Sequence, residues 1–179
     1  MTPDSSSVVM RGPHHEAARP KYAHLEIERR WLVDAGAAVH LDLIDPVAIT
    51  DRYISGTRMR LRMMRRGDET VFKLTRKYEC EDPIARPIVT AYLDATEYEI
   101  FAALPALKLE KTRYTVRGGG HEFSLDRFSG PLQGLWLSEM ELPDLSELTA
   151  LADPPWAMRD VTQEPAYQGA NLARCGIPE

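Results

Sequence analysis

Glu26, Glu28 and Arg30 recur with period 2 in the stretch Leu25-Glu26-Ile27-Glu28-Arg29-Arg30-Trp31-Leu32-Val33. In a β-strand, alternate side chains point to opposite faces. One face of this strand would therefore carry two carboxylates and a guanidinium, with the carboxylates about 6.5–7 Å apart. Such a row is costly to bury unless cations neutralise it, and hard divalent metal ions prefer oxygen ligands. A solvent-facing strand of an antiparallel sheet would look the same. Recurrence separates the two readings. Arg58, Arg60 and Arg62 alternate with Met59, Leu61 and Met63, and Lys73, Thr75 and Lys77 share a face opposite Phe72 and Leu74. Lys111 and Arg113 share another face, and Glu139 and Glu141 lie on one face with Leu135 and Leu137.

The net charge of −5 conceals an asymmetry. Nine basic and two acidic residues lie between Arg52 and Lys77, whereas seven acidic residues and only Arg159 lie between Trp136 and Pro165. If these blocks face one another, the space between them suits an anion bridged by metal ions. A nucleic-acid reader would set aromatic stacking residues beside the basic ones. Here the interleaved residues are Met and Leu, so nucleic acid is not the expected partner. Cys80 and Cys175 have no paired-ligand spacing, which argues against a zinc site or disulfide scaffold and for a reducing cytoplasm. His14, His15, His24, His40 and His121 show no metal-binding spacing and read as incidental. No apolar run approaches a membrane span, and the N-terminus lacks a signal-peptide core. The expected setting is cytoplasmic, with no membrane partner.

These residues need elements to position them. The length of 179 residues suits one domain with a sizeable core. Residues 1–21, with Ser5-Ser6-Ser7 and three prolines, read as a disordered extension, leaving 22–179 as the domain. After the first strand, Ala35 to Ile49 predicts a short helix stopping near Pro46. Thr50 to Arg65 predicts two strands with a turn near Ser55-Gly56, and Glu69 to Lys77 a third after the turn Arg66-Gly67-Asp68. A strand is expected over Arg86–Leu93, followed by a helix opened by Asp94 and Glu97 as a capping box. Leu109–Arg117 and His121–Phe128 read as strands joined by the turn Gly118-Gly119-Gly120, and Leu135–Leu142 as the last strand. A short helix over Asp144–Leu151, an extended Pro154-Pro155-Trp156 and a terminal helix over Gln163–Cys175 complete the chain.

About eight strands with charged residues on one face fit a closed barrel, whose interior can hold one small ligand. The expected fold is α+β: a closed antiparallel eight-stranded β-barrel, or tunnel, with a polar, charged interior and flanking helices.

Glu26-x-Glu28-x-Arg30 resembles the Glu-x-Glu-x-Lys signature of the CYTH domain, the triphosphate tunnel metalloenzymes. The resemblance continues through Arg58-x-Arg60-x-Arg62, Leu74-Thr75-Arg76-Lys77, Lys111-Thr112-Arg113-Tyr114 and Leu125-Asp126-Arg127-Phe128-Ser129-Gly130. It closes with Ser138-Glu139-Met140-Glu141-Leu142 and Pro155-Trp156…Asp160-Val161-Thr162…Tyr167, covering roughly residues 24–175. The chain is most similar to the small bacterial, inorganic-triphosphatase-like members. The resemblance implies Mg²⁺ or Mn²⁺ held by Glu26, Glu28, Glu139 and Glu141. It further implies Asp126 or Glu139 near the attacking water. Arg30, Arg58, Arg60, Arg62, Lys73, Lys77, Arg86, Lys111 and Arg113 would be the phosphate ligands, with Tyr53 near the tunnel.

The implied activity is metal-dependent hydrolysis of inorganic tripolyphosphate or a nucleoside or organic triphosphate. A non-catalytic triphosphate, polyphosphate or nucleotide binder and a class IV-like adenylate cyclase are the alternatives, and a homodimer is left open. One departure stands out: Ile88 and Thr90 occupy positions where similar tripolyphosphatases carry a further Glu-x-Glu.

Overall fold

The computed structural model describes residues 20–179, so the extension expected over residues 1–21 falls almost wholly outside the described residues. Nine strands form one antiparallel sheet: β1 (His24–Val33), β2 (Ile44–Ile54), β3 (Met59–Arg66), β4 (Glu69–Lys77), β5 (Ala85–Leu93), β6 (Ala106–Gly118), β7 (His121–Phe128), β8 (Trp136–Glu141) and β9 (Ala157–Asp160). The order is β5-β4-β3-β2-β6-β7-β8-β1-β9, with β1 also pairing β5. That last pairing closes strands β1 to β8 into the expected eight-stranded barrel. Among the described residues four helices flank it: α1 (Ala35–Ala38), α2 (Ala95–Ala102), α3 (Leu145–Ala150) and α4 (Gly169–Cys175). None is long and apolar enough to cross a membrane.

Closure depends on how β1 divides its free edge. Residues His24–Ile27 pair with β5, and residues Trp31–Val33 pair with β9. Between the two, Glu28 N–H donates to Ile84 O, Val161 N–H to Arg30 O, and Arg30 N–H to Thr162 Oγ1. No backbone stretch of this edge is left open to solvent pairing, the usual liability of an edge strand.

Apolar side chains build two clusters, one on the outer faces and one lining the inside of the barrel beside the C-terminal segment. Ile27, Trp31, Phe123, Leu125, Trp136, Met140, Leu148 and Trp156 pack outside β1, β7 and β8. Trp31 and Trp156 bury their rings but satisfy their indole N–H groups, on Asp153 Oδ1 at 2.8 Å and Ser138 Oγ at 3.1 Å. The second cluster, including Leu109, Phe128, Leu135, Leu137, Tyr167 and Leu172, joins the barrel to the C-terminal segment. That segment lies against the barrel's inner residues: a β-carbon built on Gly169 would sit 1.9 Å from the Tyr53 hydroxyl, so a side chain there would have to displace the Tyr53 ring.

Two expectations are corrected. The helix predicted to run toward Pro46 ends at Ala38, and Ile44 already belongs to β2. Pro46 sits at a register shift between Ile44 and Val47, beside Asp45 at φ +54°, where a missing N–H breaks no ladder bond. The terminal helix expected over Gln163–Cys175 is instead a 3₁₀ turn, Pro165–Tyr167, followed by α4. Gln168 between them is extended at ψ 136°. Strand β9 had no periodic pattern to announce it. The capping box is present, with Asp94 and Glu97 each accepting from the other's backbone N–H.

Candidate active site

The barrel encloses a cavity of about 1020 Å³. Its wall carries Glu26, Glu28 and Arg30 from β1, Tyr53 from β2, and Arg60 and Arg62 from β3, with Arg58 just before it. Lys73 and Lys77 from β4, Arg86 from β5, Lys111 and Arg113 from β6, and Glu139 and Glu141 from β8 complete the expected set. Every one of these side chains faces the same space because each stands at the inward parity of its strand. Ile88 and Thr90 line the same wall, and the Thr90 hydroxyl is spent on Thr75 Oγ1 at 2.9 Å.

Asp126 does not line the cavity. It is fully buried behind Lys111 and Arg113, with both carboxylate oxygens engaged. Arg113 grips it side-on through Nε–Oδ1 and Nη2–Oδ2, both 2.7 Å, and Lys111 donates to Oδ2. Burial alone would raise its pKa, but the Arg113 and Lys111 charges override that and hold it below the usual carboxylate range.

Sequence reading missed a second buried carboxylate. Asp51, on β2 at the same parity as Tyr53, is 1% exposed. It repeats the side-on fork, accepting from Arg62 Nε at 2.6 Å and Nη2 at 2.7 Å, with Arg60 Nε at 3.7 Å. Its inward parity was the available signal. Burial acts to raise its pKa, and Arg62 and Arg60 pull it well below the ordinary value. Two buried aspartates thus orient Arg62 and Arg113, leaving the Nη1 edge of each guanidinium free of these forks.

The acidic wall is paired within itself. Glu28 is the cross-strand neighbour of Glu141, and Arg30 of Glu139. Arg30 bridges Glu28 and Glu139, both at 2.8 Å, and Arg113 also reaches Glu139. Glu26 accepts from Lys77. For Glu139, burial is outweighed by Arg30 and Arg113, which keep its pKa well below the usual range. Glu141 behaves oppositely: burial, then the Glu26 and Glu28 charges, push it up. His24 Nε2 lies 3.6 Å from Glu141 Oε1.

Among the described residues no three His, Cys, Asp or Glu side chains already converge on one point. The donor set nonetheless suits a hard divalent cation: Glu26, Glu28 and Glu141 supply only oxygens and repel one another. On the basic side, Arg60 Nε and Arg86 Nε are buried without a hydrogen-bond partner among the described residues. Arg86 otherwise reaches Gln168 Oε1 at 3.4 Å, and Lys73 lies 4.9 Å from the centre of the Tyr92 ring. Buried donors left without acceptors are costly, so both arginines are suited to accept an anion.

No family model matches the chain. The inorganic triphosphatase of Acetivibrio thermocellus is 38% identical over 66 residues, spanning 37% of this chain and 41% of that relative. The chain therefore matches less than half of that curated relative's length. A crystal structure of the inorganic triphosphatase NE1496 matches with 28% identity and a TM-score of 0.56, covering 83% of this chain and 93% of that one. A second structure of NE1496 matches with 30% identity and a TM-score of 0.57, covering 86% and 99%. A putative adenylate cyclase from Bacillus halodurans, 15% identical with a TM-score of 0.54 over 71% and 85%, shares the fold.

Proposed function

Because the chain belongs to the CYTH, or triphosphate tunnel metalloenzyme, family, we propose that it is a metal-dependent triphosphatase acting on inorganic tripolyphosphate or a small organic triphosphate. The observation that carries this reading is the cavity itself, where an acidic wall on β1 and β8 faces a basic wall on β3 to β6. The inorganic triphosphatases among its relatives support the same substrate class.

In this reading Arg60 and Arg86 receive phosphate oxygens first, since their buried Nε–H groups have no hydrogen-bond partner among the described residues. Arg62 and Arg113, held in plane by Asp51 and Asp126, add charge-assisted contacts of fixed direction. Arg30 and Lys77 exchange their carboxylate partners for phosphate oxygens as the substrate settles. Lys73, Lys111 and Arg58 complete the cationic lining, and Tyr53 bounds it. Glu26, Glu28 and Glu141, aided by Glu139, would hold Mg²⁺ or Mn²⁺. Such an ion neutralises charge on phosphate oxygens and acidifies water. Glu139, on the inward face of β8 beside Glu141, accepts a hydrogen bond from water and so orients it for in-line attack. Asp126 positions Lys111 and Arg113 rather than the water. The free thiols of Cys80 and Cys175 fit a reducing, cytoplasmic setting.

A second reading, binding without turnover, is favoured by Ile88 and Thr90 on the wall in place of carboxylates. One product survey separates the two readings. The protein is incubated with tripolyphosphate or ATP and Mg²⁺ or Mn²⁺, and released orthophosphate, pyrophosphate and cyclic nucleotide are measured. Orthophosphate release from tripolyphosphate is the expected result. Binding without release would establish the second reading, and pyrophosphate with cyclic AMP from ATP would replace both with a cyclase.

A further inference from the structure

We infer that His24 is a nitrogen ligand of the cation on the acidic wall, making that site a mixed imidazole–carboxylate centre that favours Mn²⁺ over Mg²⁺. The inference rests on the metal-dependent reading above and extends it to a residue outside the Glu-x-Glu pairs. His24 opens β1 two residues before Glu26 and four before Glu28, so the three side chains share one face. It lines the same cavity and stands beside Glu141, with Nε2 3.6 Å from Oε1. Two donors on one first-row cation, each roughly 2.0–2.2 Å from it, stand about 3 Å apart. A small side-chain rotation brings this imidazole and this carboxylate to a common ion.

The neighbouring strand explains why an imidazole has a vacant role here. His24 is the cross-strand partner of Ile88, and the next inward residue on β5 is Thr90, whose hydroxyl is bonded to Thr75. That section of wall offers no carboxylate; His24 projects beside it from β1, and Lys77 is the neighbour of Ile88 on β4. Its side chain is 65% exposed, so an ion and its waters reach it without opening the barrel. As a mere ion pair with Glu141, also more than half exposed, it would contribute little. Imidazole nitrogen is a good donor to transition-metal cations, whereas Mg²⁺ takes oxygen ligands almost exclusively.

The test uses the full chain loaded with Mn²⁺ without substrate, read by pulsed electron paramagnetic resonance for nitrogen hyperfine coupling. The wild type is expected to show the coupling of one bound imidazole. His24→Gln, an oxygen donor on an exposed site, should lose it, weaken Mn²⁺ binding about tenfold and leave Mg²⁺ binding within twofold. Bound Mn²⁺ with no nitrogen coupling in the wild type would overturn the assignment of His24 while leaving the carboxylate site intact. Coupling that persists in His24→Gln would overturn it in favour of another histidine. No Mn²⁺ binding at all would remove the metal reading itself, and the ligand with it.

Discussion

Asp126→Asn is expected to lower the stability of the fold by about 3–5 kcal/mol, the usual consequence of deleting one partner of a buried ion pair. Asp126 is fully buried and neutralises two cations at once, Lys111 and Arg113. An amide of the same shape keeps one acceptor but turns an N–H₂ toward the Arg113 fork and leaves both cations short of a counter-charge. The cost should appear as a lower urea midpoint with an unchanged m-value. A loss below about 1 kcal/mol would mean that Glu139, which Arg113 also reaches, carries the compensation alone.

The same group gives a pH dependence of known sign. Asp126 and Asp51 have folded pKa values below their unfolded ones. Their contribution is fully present above the ordinary carboxylate pKa, about 3.9, and is lost as pH falls through it toward the folded values. Stability should therefore fall away in acid below about pH 4.

Glu141→Gln is expected to reduce metal-dependent phosphate release about 100-fold or more while the protein folds normally. Glu141 ends β8 opposite Glu28, and its carboxyl is pushed up by burial and by Glu26 and Glu28. It therefore lacks positive charge that a divalent cation would supply. Loss of residues that merely support a metal ligand typically costs about 10–100-fold, so loss of a ligand should reach the upper end or beyond. Folding should survive, because the side chain is more than half exposed and its removal relieves repulsion. Steady-state phosphate release at matched Mg²⁺ is the measurement. Full activity in the variant would mean that the last strand does not serve the metal.

The periodic charges were legible because a strand converts period 2 directly into a face. Glu26, Glu28 and Arg30, the Arg58-to-Arg62 row and Glu139 with Glu141 all point into one cavity for that reason. Ile88 and Thr90 took their places on the wall by the same parity. What escaped depended on partners on other strands. Asp51 stood at inward parity beside Tyr53, yet its meaning lies in a fork with Arg62, a strand away. Asp126 read as a residue near the reacting water, but two cations on β6 enclose it. β9 has no alternation of its own and exists because β1 offers an edge beyond β5. The terminal helix was shortened by Pro165, which supports a 3₁₀ turn, and by the approach of Gly169 to Tyr53.

In this structure the carboxylates and cations of the tunnel neutralise one another: Glu26 with Lys77, Glu28 with Arg30, and Glu139 with Arg30 and Arg113. A metal binding alone strands the cations, and a polyphosphate binding alone strands the carboxylates. Both together leave every charge matched. The measurement that tests this most directly is calorimetry of a methylene-bridged triphosphate, which cannot be hydrolysed, with and without Mg²⁺ and corrected for complex formation in solution. The account predicts that each ligand tightens the other by the same factor, roughly 5–150-fold. The metal-free affinity that remains would rest on Arg60, Arg86 and Lys73. In the Ile88→Glu/Thr90→Glu variant, Mg²⁺ should bind more tightly and the metal-free anion more weakly. Independent binding of Mg²⁺ and the triphosphate analogue to the wild type would contradict the account.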